Sequence, residues 1–337
     1  MSELLLTYVV PVYNTERYID RCLMSIVNQG LTDDTYEVLV VDDGSTDGSR
    51  DKITEFVSRH PQVRLIAQEN AGVSAARNHA LDQARGRYVQ FVDSDDYLQQ
   101  GMMVGLLQHA VDEDLDVLQF NYWTVDANGV ASSVPADVDA VTTPVMTGVE
   151  YLRNHILTPY VWRFLVKREY LAAHKWCFNT SLIVCEDGAL ITEFMLAAQR
   201  MVCHADAPYC YVNRNDSAMH NPDRDHLQRR IFSQIDSAAI IDATARRYEQ
   251  EAGETAPISV TGLRNVYLYF AMTRALTTGC VEAAVERMRQ AGLYPFPCVG
   301  PEANPNYAGM KWKVIHRLMM CPRLWGLMSK AYRAIKK

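Results

Sequence analysis

The sequence predicts an α/β fold built on a Rossmann-like, mostly parallel sheet, and three observations carry that expectation. Over the first 120 residues, apolar β-rich runs alternate with stretches of helical periodicity. Such alternation implies parallel strands covered on both faces. Each run also ends in polar residues, and in an open parallel sheet ligands gather beyond the carboxyl ends of the strands.

The strand-like runs are residues 4–10, 38–41, 63–67, 88–92 and 115–121. Helical periodicity covers 16–29, 48–59, 73–85 and 99–113, with Ile19, Leu23, Ile26 and Val27 turning one apolar stripe inward. Residues 126–147 are polar and proline-containing, which predicts a hairpin or loop excursion. From 149 to 214 the pattern mixes helix and short strand. From 226 to 289 it is helical, with Leu227, Ile231, Ile235 and Ala239 on one face, and 295–305 is a proline-rich break. These shifts divide the chain into a doubly wound nucleotide-binding half (1–121), a half of mixed helix and short strand (122–225), a helical region (226–309) and a basic tail (310–337).

A chain of 337 residues, 48% hydrophobic and 22% charged, buries a sizeable core. Eight cysteines are scattered without zinc-type pairing, and no signal peptide precedes the first run, so a cytoplasmic protein with reduced thiols is expected. No apolar stretch reaches eighteen residues, which argues against a spanning helix. The net charge of −7 argues against nucleic-acid binding, but it averages two unlike parts. Residues 310–337 hold eight Lys or Arg and no acid, leaving 25 basic and 40 acidic side chains before them.

The first four runs end in Pro11-Val12-Tyr13-Asn14, Asp42-Asp43-Gly44-Ser45, Gln68-Glu69-Asn70-Ala71-Gly72 and Asp93-Ser94-Asp95-Asp96. In an extended segment Asp93 and Asp95 project to the same side, where both reach one hard divalent cation that bridges a diphosphate. The competing reading is a solvated turn with a helix cap at Ser94 or Asp96. Of Asp42 and Asp43, one suits the imide N–H of a pyrimidine and the other a ribose hydroxyl, and the sequence leaves open which. A turn capped by Ser45 is the alternative. Arg77, in the first turn of a helix opened by Gly72 and Ser74, adds positive charge at an anion or base pocket, or is a surface arginine.

Together, Pro11-Val12-Tyr13-Asn14, Val41-Asp42-Asp43-Gly44-Ser45-Thr46-Asp47, Asn70-x-Gly72-x-x-x-Ala76-Arg77-Asn78 and Phe91-Val92-Asp93-Ser94-Asp95-Asp96-Tyr97 resemble the family-2 glycosyltransferases of GT-A fold. The likeness continues through Val161-Trp162-Arg163-Phe164-Leu165, Cys185-Glu186-Asp187-Gly188-Ala189-Leu190 and 209–217, and stops near His226. It implies an inverting transfer from a nucleotide-diphosphate sugar, usually uridine-linked, with Mn2+ or Mg2+ held at Asp93 and Asp95. Pro11, Tyr13, Asn14, Asp42, Asp43, Asn70, Arg77, Asp93 and Ser94 would then line the donor site. The Glu186-Asp187 pair resembles the family's second acidic motif, which makes Asp187 the expected general base. Leu190 stands where an aromatic is common, so the register leaves Glu186 as the alternative. Trp162 is expected to wall a sugar ring, or else to be a core aromatic. Tyr211, Arg214, Ser217 and His220 fall on a segment expected to close over the diphosphate, with His220 an added metal ligand.

Such a chain would act on a glycan or lipid-linked acceptor in surface-polysaccharide synthesis. A sugar nucleotidyltransferase would want a glycine-rich, basic loop after the first run, and Tyr13 to Arg17 is not one. An inactive sugar-binding module would not need all four acids. The tail spaces Trp312, Ile315, Leu318 and Met319, then Leu324, Leu327, Met328, Ala331 and Ile335, among Lys311, Arg317, Arg323, Lys330 and Arg333. This pattern predicts helices at an anionic membrane interface, on the inner face of the cell membrane, or a helix packed on the acidic body.

Overall fold

The computed structural model describes residues 3–126, 129–133, 140–214, 224–298 and 309–335. The chain forms two compact units: Met1–Gly148, Tyr160–Thr180 and Ala197–Asn215 in the first, Val149–Pro159, Ser181–Leu196 and Asp216–Lys337 in the second.

The first unit is organised by one sheet. Its strands are β1 (Leu6–Val12), β2 (Tyr36–Asp43), β3 (Val63–Gln68), β4 (Tyr88–Phe91), β5 (Tyr97–Leu98), β6 (Val117–Val125), β7 (Ala131–Ser133), β8 (Phe164–Lys167) and β9 (Met201–Val212). They lie in the order β3-β2-β1-β4-β8-β6-β9-β5, with β7 paired to β6. Strands β1, β2 and β4 are buried along their whole length, which is why they read as unbroken apolar runs. Their pairings, and that of β2 with β3, are parallel, in a register that sets Val12 beside Asp42 and Asp43 beside Gln68. Helices α1 (Ile19–Val27), α2 (Ser49–Arg59), α3 (Val73–Leu81) and α4 (Met103–Asp112) follow these strands, and Ile19, Leu23 and Ile26 of α1 enter the core with Ile53 and Phe56 of α2.

Beyond β4 the sheet becomes mixed. Strand β8 is antiparallel to both β4 and β6, and β5 is antiparallel to β9, while β6 and β9 run parallel. Strand β6 continues through Asn121, where the sequence suggested a change of domain. Asn121 marks a register shift in the β6–β9 ladder, and its buried amide donates to the Ala205 carbonyl at 2.9 Å. A bulge with a satisfied polar residue therefore produced the break in apolar pattern. The excursion after it begins as a hairpin, Val125 pairing with Ala131.

The second unit is helical. It holds most of α5 (Gly148–Asn154) and α7 (Glu186–Ala197), then α8 (Arg224–Ala252), α9 (Ile258–Thr278), α10 (Val281–Gln290), α11 (Met310–Met319) and α12 (Pro322–Ile335); the short α6 (Arg168–His174) belongs to the first unit. Ile231, Ile235, Ala238 and Ile241 bury one face of α8, and Leu268, Ala271, Met272 and Ala275 bury the face of α9. The tail docks on α9 through Trp325, whose indole N–H donates to the Met272 carbonyl at 3.0 Å, and through Ser329, which donates to the Leu276 carbonyl at 2.6 Å, while Met319 is buried and its carbonyl accepts the Tyr294 hydroxyl at 2.9 Å. Among the described residues no helix is long and apolar enough to cross a membrane. None of the eight cysteines forms a disulfide.

Candidate active site

The loops that end β1, β2 and β3 are tied to one another by side chains bonding to backbone. Asn14, in left-handed conformation with φ of 53°, donates its N–H to Ser45 Oγ at 3.1 Å and accepts the Thr46 N–H at 2.8 Å. Glu16 accepts the Gly48 N–H, and Asp47 accepts the N–H of Glu16 in return. Asp43 accepts the Ala71 N–H at 2.8 Å on one oxygen and the Gly72 N–H at 2.9 Å on the other. Gly44 is required here: its φ is +74°, and a Cβ would stand 2.9 Å from the Asn70 nitrogen.

Asp42 and Asp43 consequently differ in surroundings, a distinction the sequence left open. Asp42 is enclosed, takes the Arg50 guanidinium at 2.6 Å and accepts the Ser45 N–H at 3.0 Å. Asp43 shares its first oxygen between Ala71 and Gln68, and Gln68 in turn meets the His79 ring at 2.9 Å. Both acids build the loops. Pro11 is buried in β1, whereas Tyr13 is half exposed and Asn70 is exposed at the rim of the same loops.

At the end of β4, Asp93 and Asp95 each meet an arginine. Arg77 donates from Nη2 to Asp93 Oδ1 at 3.0 Å, and Arg214, just past β9, donates from Nε to Asp95 Oδ2 at 2.9 Å while lying over the Tyr18 ring. Arg77 is not a surface residue. Its guanidinium lies 5.1 Å from the centre of the Phe178 ring, and Asn78 holds Phe178 in place by exchanging two hydrogen bonds with that residue's backbone, both 2.8 Å. Burial and then the neighbouring Asp93 push the Asp95 carboxyl up, and Arg214 opposes them. Ser94 is buried between the two acids. Asp96 has turned inward, accepting Tyr209 Oη at 2.8 Å and the Val212 N–H at 2.7 Å, so it fastens β9 to the acidic loop.

Two carboxylates of like charge, both partly open to solvent, fit a hard cation. Asp93 and Asp95 are the residues that could hold such an ion; among the described residues no group of three or more His, Cys, Asp or Glu gathers there. His220 and Ser217 lie outside the described residues.

Trp162 is buried in a parallel stack of rings. Tyr209 lies 4.2 Å from it, Tyr160 5.2 Å and Tyr211 5.9 Å, all within 12° of parallel, and Tyr122 meets it edge-on. The rings open to solvent are Tyr160 and Tyr211, 39% and 40% exposed. Tyr160 precedes Trp162 by two residues, and an aromatic-x-aromatic spacing was the available signal.

In the second unit Glu186 and Asp187 form the first turn of α7, where the helix dipole favours negative charge; Glu186 is buried and Asp187 half-buried. The turn is entered through Cys185 at φ of 65°. Gly188 follows of necessity, since a Cβ there would come within 2.2 Å of the Tyr267 hydroxyl.

The model of glycosyl transferase family 2 matches residues 7–163, which takes in every loop described above from β1 to Trp162. The glycosyltransferase EpsJ of Bacillus subtilis is 30% identical over 241 residues, 68% of this chain and 69% of that protein. The chain belongs to glycosyltransferase family 2. A poly(ribitol-phosphate) beta-glucosyltransferase of Bacillus spizizenii is 30% identical over 217 residues, 63% of this glycosyltransferase and 32% of the relative. Among solved structures, residues 1–349 of Staphylococcus aureus TarS in complex with UDP-GlcNAc match with a TM-score of 0.70 at 21% identity, covering 98% of this glycosyltransferase and 92% of that chain. That likeness confirms the GT-A type of fold.

Proposed function

We propose that this glycosyltransferase moves a sugar from a nucleotide-diphosphate donor, a UDP-sugar, to a hydroxyl of a glycan or lipid-linked acceptor in surface-polymer synthesis, with inversion at the anomeric carbon. The observation that carries it is the pair Asp93 and Asp95 at the end of β4, beside loops of β1, β2 and β3 that are already fastened together. A UDP-sugar is bound by TarS, and the B. spizizenii relative is named for a phosphate polymer; both support the reading.

Asp93 and Asp95 would hold Mn2+ or Mg2+, which as a Lewis acid stabilises the diphosphate as it departs. Arg77 keeps Asp93 oriented. Asn70, Tyr13 and the Ala71–Gly72 backbone shape the place of the base and ribose. Asp187, or Glu186 in the alternative register, takes the proton from the acceptor hydroxyl as its oxygen bonds to the anomeric carbon from the opposite side and the bond to the diphosphate breaks. Tyr160 and Tyr211, backed by Trp162, offer apolar faces to an acceptor sugar.

Purified protein with Mn2+ should release nucleoside diphosphate from UDP-sugars in preference to GDP- and dTDP-sugars. Preference for another nucleotide would overturn the uridine assignment, and release from none would overturn transfer from a nucleotide-diphosphate donor.

The tail supports peripheral attachment to the inner membrane face. Its docked side is Met319, Trp325 and Ser329, while Met310, Val314, Leu324, Leu327, Met328 and Ile335 are exposed on the other side among exposed Lys311, Lys313, Arg317, Arg323 and Lys330. Charge holds such a surface to anionic lipid, so attachment weakens as salt rises. In liposome co-sedimentation, the triple change Arg317→Glu, Arg323→Glu and Lys330→Glu should abolish pelleting on anionic vesicles. Equal pelleting of both forms, or of neither at low salt, would exclude the attachment.

A further inference from the structure

Two helices of the second unit grip the segment that leads into α7, and each brings an arginine to it. On α8, Arg230, Ser233 and Ser237 follow one another at helical spacing. Ser233 Oγ accepts the N–H groups of Ile183 and Val184 at 3.0 and 3.1 Å, and Ser237 donates to the Cys185 carbonyl at 2.8 Å. On α9, Tyr267 and Arg274 are two turns apart on one face, and the Tyr267 hydroxyl abuts Gly188. Arg230 is 1% exposed, and Arg274 is partly open to solvent with a buried Nη1 that has no hydrogen-bond partner among the described residues.

Among the described residues no carboxylate offsets the charge at Arg274, where burial opposes the charged form and Cys185 is the one neighbouring ionisable group that favours it. Burial disfavours the charged form of both guanidiniums, and Arg274 further disfavours that of Arg230. The group whose ionisation would favour either arginine is the Cys185 thiol, which burial, then Glu186, push up to about 12, so it is neutral near pH 7. Guanidinium does not shed its proton to relieve such a position, and a buried donor without an acceptor calls for an external anion. Its planar fork matches two oxygens of a phosphoryl group.

We infer that Arg274, with Arg230 beside it, binds a phosphate or diphosphate group, and that the acceptor of this enzyme carries one. The inference rests on the reading of the Glu186-Asp187 turn as the acceptor side. It deepens that reading by naming the acceptor's chemical class: a hydroxyl borne near a phosphoryl group, on a lipid diphosphate or on a phosphodiester polymer. Cys185, whose ionisation would favour both arginines, lies two residues before Asp187 in the chain, so the arginines act electrostatically on the segment that carries the proposed base.

The test is calorimetric titration of the full chain with inorganic pyrophosphate in the presence of EDTA, which removes divalent metal and makes the result independent of turnover. Wild type should bind, Arg274→Gln should bind at least tenfold more weakly, and Arg274→Lys should fall between. Equal affinity of wild type and Arg274→Gln, or no binding by wild type, would overturn the inference. Should Arg274→Gln not fold, hydrogen exchange on wild type decides it: pyrophosphate should protect residues 183–188, and unchanged exchange there overturns the site. A parallel titration with farnesyl diphosphate separates the sources. Tighter binding than pyrophosphate assigns a lipid-linked acceptor, and equal binding assigns a phosphate on a soluble polymer. Donor cleavage scored separately, as nucleoside diphosphate release, shows whether the transferase reading itself has failed.

Discussion

Arg77 Nη2 donates to Asp93 Oδ1 at 3.0 Å from a side chain that is only 4% exposed, so the first acid of the Asp-x-Asp pair is held from within the protein. Removing this arginine leaves Asp93 without its charge partner and empties the space beside Phe178. Arg77→Ala should lower stability by about 1–3 kcal/mol, the usual range for a buried charged partner lost. Urea denaturation monitored by circular dichroism measures it, and a change within error would show that Arg77 does not secure the loop.

Asp95 belongs to the same loop but is engaged by Arg214, which arrives from β9. Asp95→Asn is close in shape to the native side chain and should keep the melting temperature near the wild-type value while abolishing metal-dependent release of nucleoside diphosphate. If a chelator leaves wild-type transfer intact, or the variant retains near-normal turnover, the cation is not held there.

The base assignment separates by kinetics. Asp187→Asn should still bind nucleotide sugar but lose transfer by about a hundredfold to ten-thousandfold, the range for a positioned general base. A larger loss from Glu186→Gln than from Asp187→Asn moves the role by one residue.

Gly188 tests the packing that positions both acids. A Cβ at this position meets the hydroxyl of Tyr267, a ring that is itself buried and cannot swing away. Gly188→Ala should destabilise by about 1–3 kcal/mol, as overpacking does. Adding Tyr267→Phe removes the closest atom and should restore part of the loss in thermal melts; no recovery would place the clash elsewhere.

How much of this was legible in sequence depended on whether the signal was local. Strands β1, β2 and β4 could be read because each is buried along its whole length, and β3 as a short apolar run although most of it is only partly buried; the polar residues that end them stood out because each group directly follows such a run. Strand β8 could not, being four residues long and stabilised by antiparallel neighbours distant in the chain. The partners of the acids were equally hidden: Arg50 on Asp42, Gln68 on Asp43 and Phe178 beneath Arg77 are contacts made by folding, across up to 101 positions. Trp162 was visible as an aromatic, but that Tyr160 and Tyr211 carry the exposed rings follows only from the stack. Of the two readings of the tail, the one against protein applies to the side that carries Trp325 and Ser329, which is docked, while Leu324 and Leu327 are exposed.

The fastening of the β1, β2 and β3 loops bears on how this scaffold would be re-engineered. Asn14 and Glu16 complete the second loop, and Asp43 of the second completes the third, so none of the three is a self-contained module. Grafting any one of them from a homologue with different donor choice would strip acceptors from backbone N–H groups in its neighbours. The exchangeable cassette is all three loops together, and, on the donor site proposed above, altered selectivity from a single change is sought at the exposed rim positions Tyr13 and Asn70.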